Sequence, residues 1–206
     1  MVDEQDKTSA GETGSTAFEV VAMASSAGGL AALSTVLSAL PEKFPVAIVV
    51  VQHLDPNHRS LMADILNRRT SLEVVEAKEG DQLRPCTVYV APPDRHLLVN
   101  QDGTLSLSQT ELVHFVRPSA DLLFESVAGS YKTKAIAVVL TGSGSDGGMG
   151  VKAIKKMGGK IIVQNEETAD FFGMPAAAIA TGCADYILPL NEIAAELMTL
   201  VAGVER

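Results

Sequence analysis

Three residues far apart in the chain could together perform acyl transfer: Ser26, His53 and Asp146. Each follows an apolar run that reads as a buried strand, in the order serine, histidine, aspartate. A hydroxyl, an imidazole and a carboxylate brought to one rim supply a nucleophile, its base, and a group that fixes the base's tautomer and stabilises its cation. Around the serine the chain reads Ala24-Ser25-Ser26-Ala27-Gly28, a nucleophile-elbow pattern with alanine for the first glycine; centred on Ser25 the pattern fails at both ends. A plainer reading is that Ser25 and Ser26 fill a tight turn or cap a helix, and that Asp146, inside a glycine loop, caps the helix after it. Three other histidines compete for the base. His58, in the first turn of a helix, and His114, before Pro118, read as surface or structural residues. His96, after the Ala91-Pro92-Pro93-Asp94 turn, is a secondary candidate to line the site.

The elements that must position these groups follow from apolar periodicity. Phe18 to Met23 reads as a strand, the small residues to Gly29 as a turn, and the segment to Leu40 as a helix. Val46 to Gln52 is β-branched almost throughout, as in a strand covered on both faces, and Ser60 to Arg69 reads as a helix. Leu72 to Ala77 and Thr87 to Val90 are short strands. Asp102-Gly103 lies in the connection between Leu97-Leu98-Val99 and Leu105-Ser106-Leu107, which predicts a hairpin that would cover one mouth of the sheet. Arg117-Pro118-Ser119 starts a helix with Pro118 near its first position and Asp121 in its first turn. Ala135 to Leu140 and Lys160 to Gln164 are further strands, with a helix ending at Met157 between them. A short helix from Gly173, a strand at Tyr186 to Leu188 and a helix from Asn191 to Val201 complete the chain. The expected fold is α/β: a doubly wound, mostly parallel sheet flanked by helices, with a β-hairpin excursion. Residues 1–17 are expected to be a disordered tail or linker stub, and residues 18–206 one domain.

Composition narrows the chemistry. The chain has 206 residues, 47% hydrophobic, enough for a core without staples. Its net charge of −9 argues against nucleic-acid binding, and Lys152, Lys155 and Lys156 read as the solvated face of a helix. Cys86 and Cys183 form no disulfide framework or zinc pattern and read as small buried hydrophobes. With no leader-like h-region and no apolar run of membrane-spanning length, a cytoplasmic protein without membrane insertion is expected. The glycine loops fit neither a dinucleotide fingerprint nor a P-loop, so no organic cofactor is expected, and no metal.

Several motifs in fixed order carry a family resemblance: Ala24 to Gly29, Val51-Gln52-His53, Ala91 to Asp94 with Arg95-His96, Arg117-Pro118-Ser119, Leu140 to Gly147, and Gln164-Asn165-Glu166 followed by Phe172-Gly173-Met174-Pro175. Together they resemble the catalytic domain of the chemotaxis protein-glutamate methylesterases, the CheB family, over Phe18 to Val201. The resemblance implies hydrolysis of glutamate γ-methyl esters on the cytoplasmic helices of chemoreceptors, with release of methanol, and deamidation of receptor glutamines. It implies Ser26 as nucleophile, His53 as general base and Asp146 as orienting acid. The N–H of Ala27 and a donor from the Ser143 loop are the candidate oxyanion hole, and His96, Arg117 and Met174 are further candidate contacts. Arg117 either steers an acidic substrate helix or supports its loop. The chain departs from the usual family pattern at Ala24, Ala27 and Ser143. The family's receiver domain is not expected here, since about seventeen residues precede Phe18. The alternative function is a catalytically silent module that binds receptors or other signalling proteins.

Overall fold

Runs such as Val20-Val21-Ala22-Met23-Ala24 and Ala47-Ile48-Val49-Val50-Val51 have no polar alternation, so both faces of each strand need cover. The computed structural model, which describes residues 16–53 and 60–203, provides it. In chain order the elements are β1 (Val20–Ser25), α1 (Gly29–Ser38), β2 (Ala47–Gln52), α2 (Met62–Asn67), β3 (Glu73–Glu76), β4 (Thr87–Val90), β5 (His96–Val99), β6 (Leu105–Ser108), α3 (Ala120–Tyr131), β7 (Ala135–Val139), α4 (Gly148–Lys156), β8 (Lys160–Gln164), α5 (Gly173–Ala180), β9 (Tyr186–Leu188) and α6 (Ile193–Val201).

Seven strands pair in the order β3-β4-β2-β1-β7-β8-β9, and each pairing is parallel. Every residue of β1, β2 and β7 is buried. On one face Leu33 and Leu37 of α1, Leu66 of α2 and Leu197 of α6 close the core. On the other, Phe124 of α3, Ile154 of α4 and Ala178 of α5 do so, together with Leu97 and Leu105 of the hairpin. The chain therefore runs from β1 to β2, on to the edge strand β3 and back to β4 between β3 and β2, then crosses to the other side of β1 and winds outward through β7, β8 and β9. The reversal lies between β1 and β7, and an open α/β sheet offers a ligand crevice at the carboxyl ends of such strands.

The strands at Thr87 to Val90, Lys160 to Gln164 and Tyr186 to Leu188 have the expected bounds. Several expectations need correction. The helix expected over Ser60 to Arg69 is confined to Met62–Asn67. Pro118 precedes α3: Ser119 is the cap, in extended backbone, with its side chain accepting from Leu122 N–H. The β5–β6 hairpin forms a separate antiparallel pair and lies along α3, where Ser126 Oγ accepts from Val99 N–H (3.0 Å). Cys86 and Cys183 are free thiols and only half-buried. The expected tail at 1–17 falls almost wholly outside the described residues, and so does His58. No described helix is long and apolar enough to cross a membrane.

Candidate active site

Ser26 stands one residue beyond β1 and His53 one residue beyond β2. Because β1 and β2 run parallel with Ser25 opposite Gln52, the two residues leave adjacent strands side by side. The ladder continues into them: His53 N–H donates to Ser25 O (3.1 Å), and on the other side Ser26 N–H donates to Thr141 O (3.0 Å). Gln52 locks the pair together. Its side-chain N–H groups donate to Ser26 O (2.7 Å) and His53 O (3.0 Å), while its oxygen accepts from the buried Ser25 hydroxyl (2.6 Å). Ser25 thus serves the turn, and Ser26 remains partly exposed. The turn closes through Gly28, whose φ of 77° suits glycine. A Cβ there would also approach Asp170 Oδ2 to 2.8 Å.

Asp146 meets His53 from the far side of the switch point, Oδ2 lying 2.8 Å from Nε2. It does not cap α4, whose cap position is Gly147 without a side-chain bond. Its carboxylate instead sits at the start of α3, accepting from Ala120 N–H (2.6 Å) at Oδ2, and from Ser119 Oγ (2.9 Å) and Asp121 N–H (3.1 Å) at Oδ1. A carboxylate there answers otherwise unpaired N–H groups and the positive end of the helix dipole. Burial pushes the Asp146 carboxyl upward, but the bonds from His53, Ala120 and Asp121 outweigh it and hold the group below its ordinary range. With the ionised carboxylate on Nε2, that nitrogen carries the imidazole proton and Nδ1 is left to accept one. Among the described residues no hydrogen bond joins Ser26 to His53.

The other candidates divide. The Ala27 N–H donates no hydrogen bond among the described residues, and Ser143 is exposed on the loop after β7. His96 is 0% exposed, with Nδ1 accepting from Ser119 N–H (3.2 Å) and Nε2 donating to Glu111 O (3.0 Å), so no surface is left for a substrate. Met174 is also 0% exposed and fills the space beside Gly142 behind Ser26. Arg117 donates through Nε to Asp94 Oδ1 (2.9 Å) and through Nη1 to Thr110 O (2.7 Å), which makes it a support for its loop. Motif reading passed over Gln52 and Ser119 as polar parts of a strand end and a helix start. For Gln52 the available signal was its place directly before His53; for Ser119 there was none, since only packing brings it to Asp146. Gln164 is a third: it sits at the end of β8, and its Oε1 accepts from Thr141 N–H (2.8 Å), while Thr141 Oγ1 donates to Ala27 O (3.0 Å) and accepts from Phe171 N–H (2.9 Å). An open cleft of about 600 Å³ beside β3 and β4, lined by residues such as Glu76, Gln82 and Tyr89, includes none of Ser26, His53 and Asp146.

The family described as CheB methylesterase matches residues 21–197. The chain belongs to the CheB methylesterase family. The crystal structure of the CheB methylesterase catalytic domain from Thermotoga maritima is similar at a TM-score of 0.86 and 40% identity, covering 89% of this chain and 99% of that one. A putative protein-glutamate methylesterase/protein-glutamine glutaminase of Leptospira interrogans is 42% identical over 177 residues, 86% of this chain and 92% of its own. A protein-glutamate methylesterase/protein-glutamine glutaminase of Moorella thermoacetica is 42% identical over 190 residues, 90% of this chain but 45% of its own length. This chain thus spans nearly all of one such relative and about half of the other. The CheB match contains Ser26, His53 and Asp146, and the seven-stranded sheet between two helical layers is the architecture shared with the Thermotoga CheB domain.

Proposed function

We propose that this chain is a serine hydrolase acting on glutamyl γ-methyl esters of proteins, chemoreceptor cytoplasmic helices being the substrate. The observation that carries this reading is the His53–Asp146 pair, held by the start of α3, with His53 at the end of the strand next to the Ser26 turn. Ser26 Oγ attacks the ester carbonyl as His53 Nδ1 takes its proton. The tetrahedral oxyanion is met by the unengaged Ala27 N–H and a donor from the Ser143 loop. Collapse expels methoxide, which leaves as methanol with the proton from His53, and a water activated by the same imidazole then hydrolyses the glutamyl-enzyme. Asp146 keeps the proton on Nε2 and balances the imidazolium. The names of the relatives support glutaminase activity as a second reading, in which the same acyl-enzyme forms from glutamine and ammonia departs.

The test is methanol release from a methyl-esterified chemoreceptor fragment by wild type and Ser26→Ala at equal concentrations. Release by the wild type and its loss in the variant support serine-dependent ester hydrolysis. Ammonia without methanol moves the assignment to the glutaminase. Folded wild type that yields neither product, yet binds receptor, makes the chain a silent docking module.

A further inference from the structure

The segment between β6 and α3 turns back on itself. Val113 and Val116 exchange backbone hydrogen bonds (3.2 and 2.9 Å), leaving His114 and Phe115 as a two-residue turn with φ of 50° and 65°. Two positive φ values in succession are the geometry for which Asn-Gly is favoured, and a phenylalanine is strained there. Phe115 is nonetheless 94% exposed, so its ring gains nothing within the chain to offset that strain. The turn is also firmly held. Arg117 ties it to Asp94 and Thr110, His96 holds Glu111 O, and His114 Nε2 lies 3.2 Å from Asp121 Oδ2. Asp121 N–H is one of the donors to Asp146 (3.1 Å), which places the base of the turn against the site.

A second observation concerns distribution. Of the seven large apolar residues exposed among those described, Leu61, Leu112, Phe115, Met149 and Phe171 stand on loops or first turns at the carboxyl rim of the sheet. Met149 precedes Gly150, whose N–H donates to Asp121 Oδ1 (2.7 Å), and Phe171 N–H donates to Thr141 beside the Ser26 turn. With a net charge of −9, the chain has no overall electrostatic attraction for an acidic partner. Apolar contact is what this rim offers.

Resting on the function proposed above, we propose that the 113–116 turn is a docking finger: Phe115 seats an apolar strip of the protein segment that carries the esterified glutamate and so aims the ester at Ser26. Phe115 is a substrate-recognition residue and takes no part in the bond-making steps.

The experiment compares wild type, Phe115→Asn, which tolerates the left-handed turn, and Phe115→Tyr, which keeps the ring. Each is assayed for methanol release from a methyl-esterified receptor fragment and for hydrolysis of p-nitrophenyl acetate. Phe115→Asn is expected to lower the ratio of kcat/KM for the receptor fragment to that for the small ester by about tenfold, through KM, the loss of one apolar anchor. Phe115→Tyr is expected to stay near wild type. A ratio within twofold of wild type in Phe115→Asn overturns the finger, and so does an equal loss on both substrates, which marks a structural role. Wild type that hydrolyses the small ester but frees no methanol from receptor overturns the protein-esterase reading itself, and the finger with it.

Discussion

Asp146 gathers hydrogen bonds from His53, Ser119, Ala120 and Asp121, and two neighbouring carboxyls behave oppositely because of how each is partnered. Asp146 is held below its ordinary range. Its contribution to stability is therefore present above about pH 4 and is lost as pH falls through the lowered value. On the mechanism proposed above, replacement by asparagine removes the charge that balances the imidazolium, and kcat is expected to fall by about 10³- to 10⁴-fold in a methanol-release assay at saturating substrate. Asp121 is held above its ordinary range, chiefly by burial, against the bond from Gly150 and with the Asp146 charge adding to the rise. Its protonated form suits the fold better, so ionisation costs stability at neutral pH, and that cost vanishes below the ordinary carboxylate range. Asp121→Asn is expected to raise Tm by about 2–4 °C at pH 7, a gain of about 1 kcal/mol, and to lose the advantage by about pH 3.5; melting curves at the two pH values decide. Ser26 and His53 could be singled out because each follows directly on a strand-like run, and Asp146 because it is the carboxylate in the glycine-rich loop after another such run. The cradle of Asp146 was not, since Ser119 and the N–H groups of Ala120 and Asp121 belong to a segment that only the packing of α3 brings there.

At the scale of elements, the β1–α1 turn is a tightly filled corner. A Cβ on Gly29 would run into Gln52 Oε1 and Ser25 Oγ, the two atoms whose hydrogen bond fastens β1 to β2. Gly29→Ala is expected to cost about 1–3 kcal/mol, as overpacking does, seen as a drop in Tm of about 5 °C. Gly129, in the exposed interior of α3, has no atom near the position of an added Cβ. Gly129→Ala is expected to raise stability by about 0.5–1 kcal/mol through helix propensity. Opposite signs for two helical glycines in the same thermal series would check both environments. Strand positions were readable from β-branched runs, as at Thr87 to Val90. Helix starts were less so: Pro118 is compatible with a first helical position, and only the extended backbone of Ser119 shows that the helix begins after it.

For the whole molecule, alternation of strands and helices was enough to predict a doubly wound sheet. The strand order was not readable, because it depends on which strand receives β7 after the long crossover from β6, and no local pattern records that choice. The outcome, β7 beside β1, means that the chain's first half brings Ser26 and His53 while its second half brings Asp146 and the helix start that holds it. During synthesis a ribosome would therefore release no competent esterase until the later strands had docked. Fragments 1–108 and 109–206 made separately should be inert, and their co-expression should restore methanol release if β7 finds β1 in trans. The switch point would then work as the seam of a split reporter, with turnover reading out the meeting of two polypeptides.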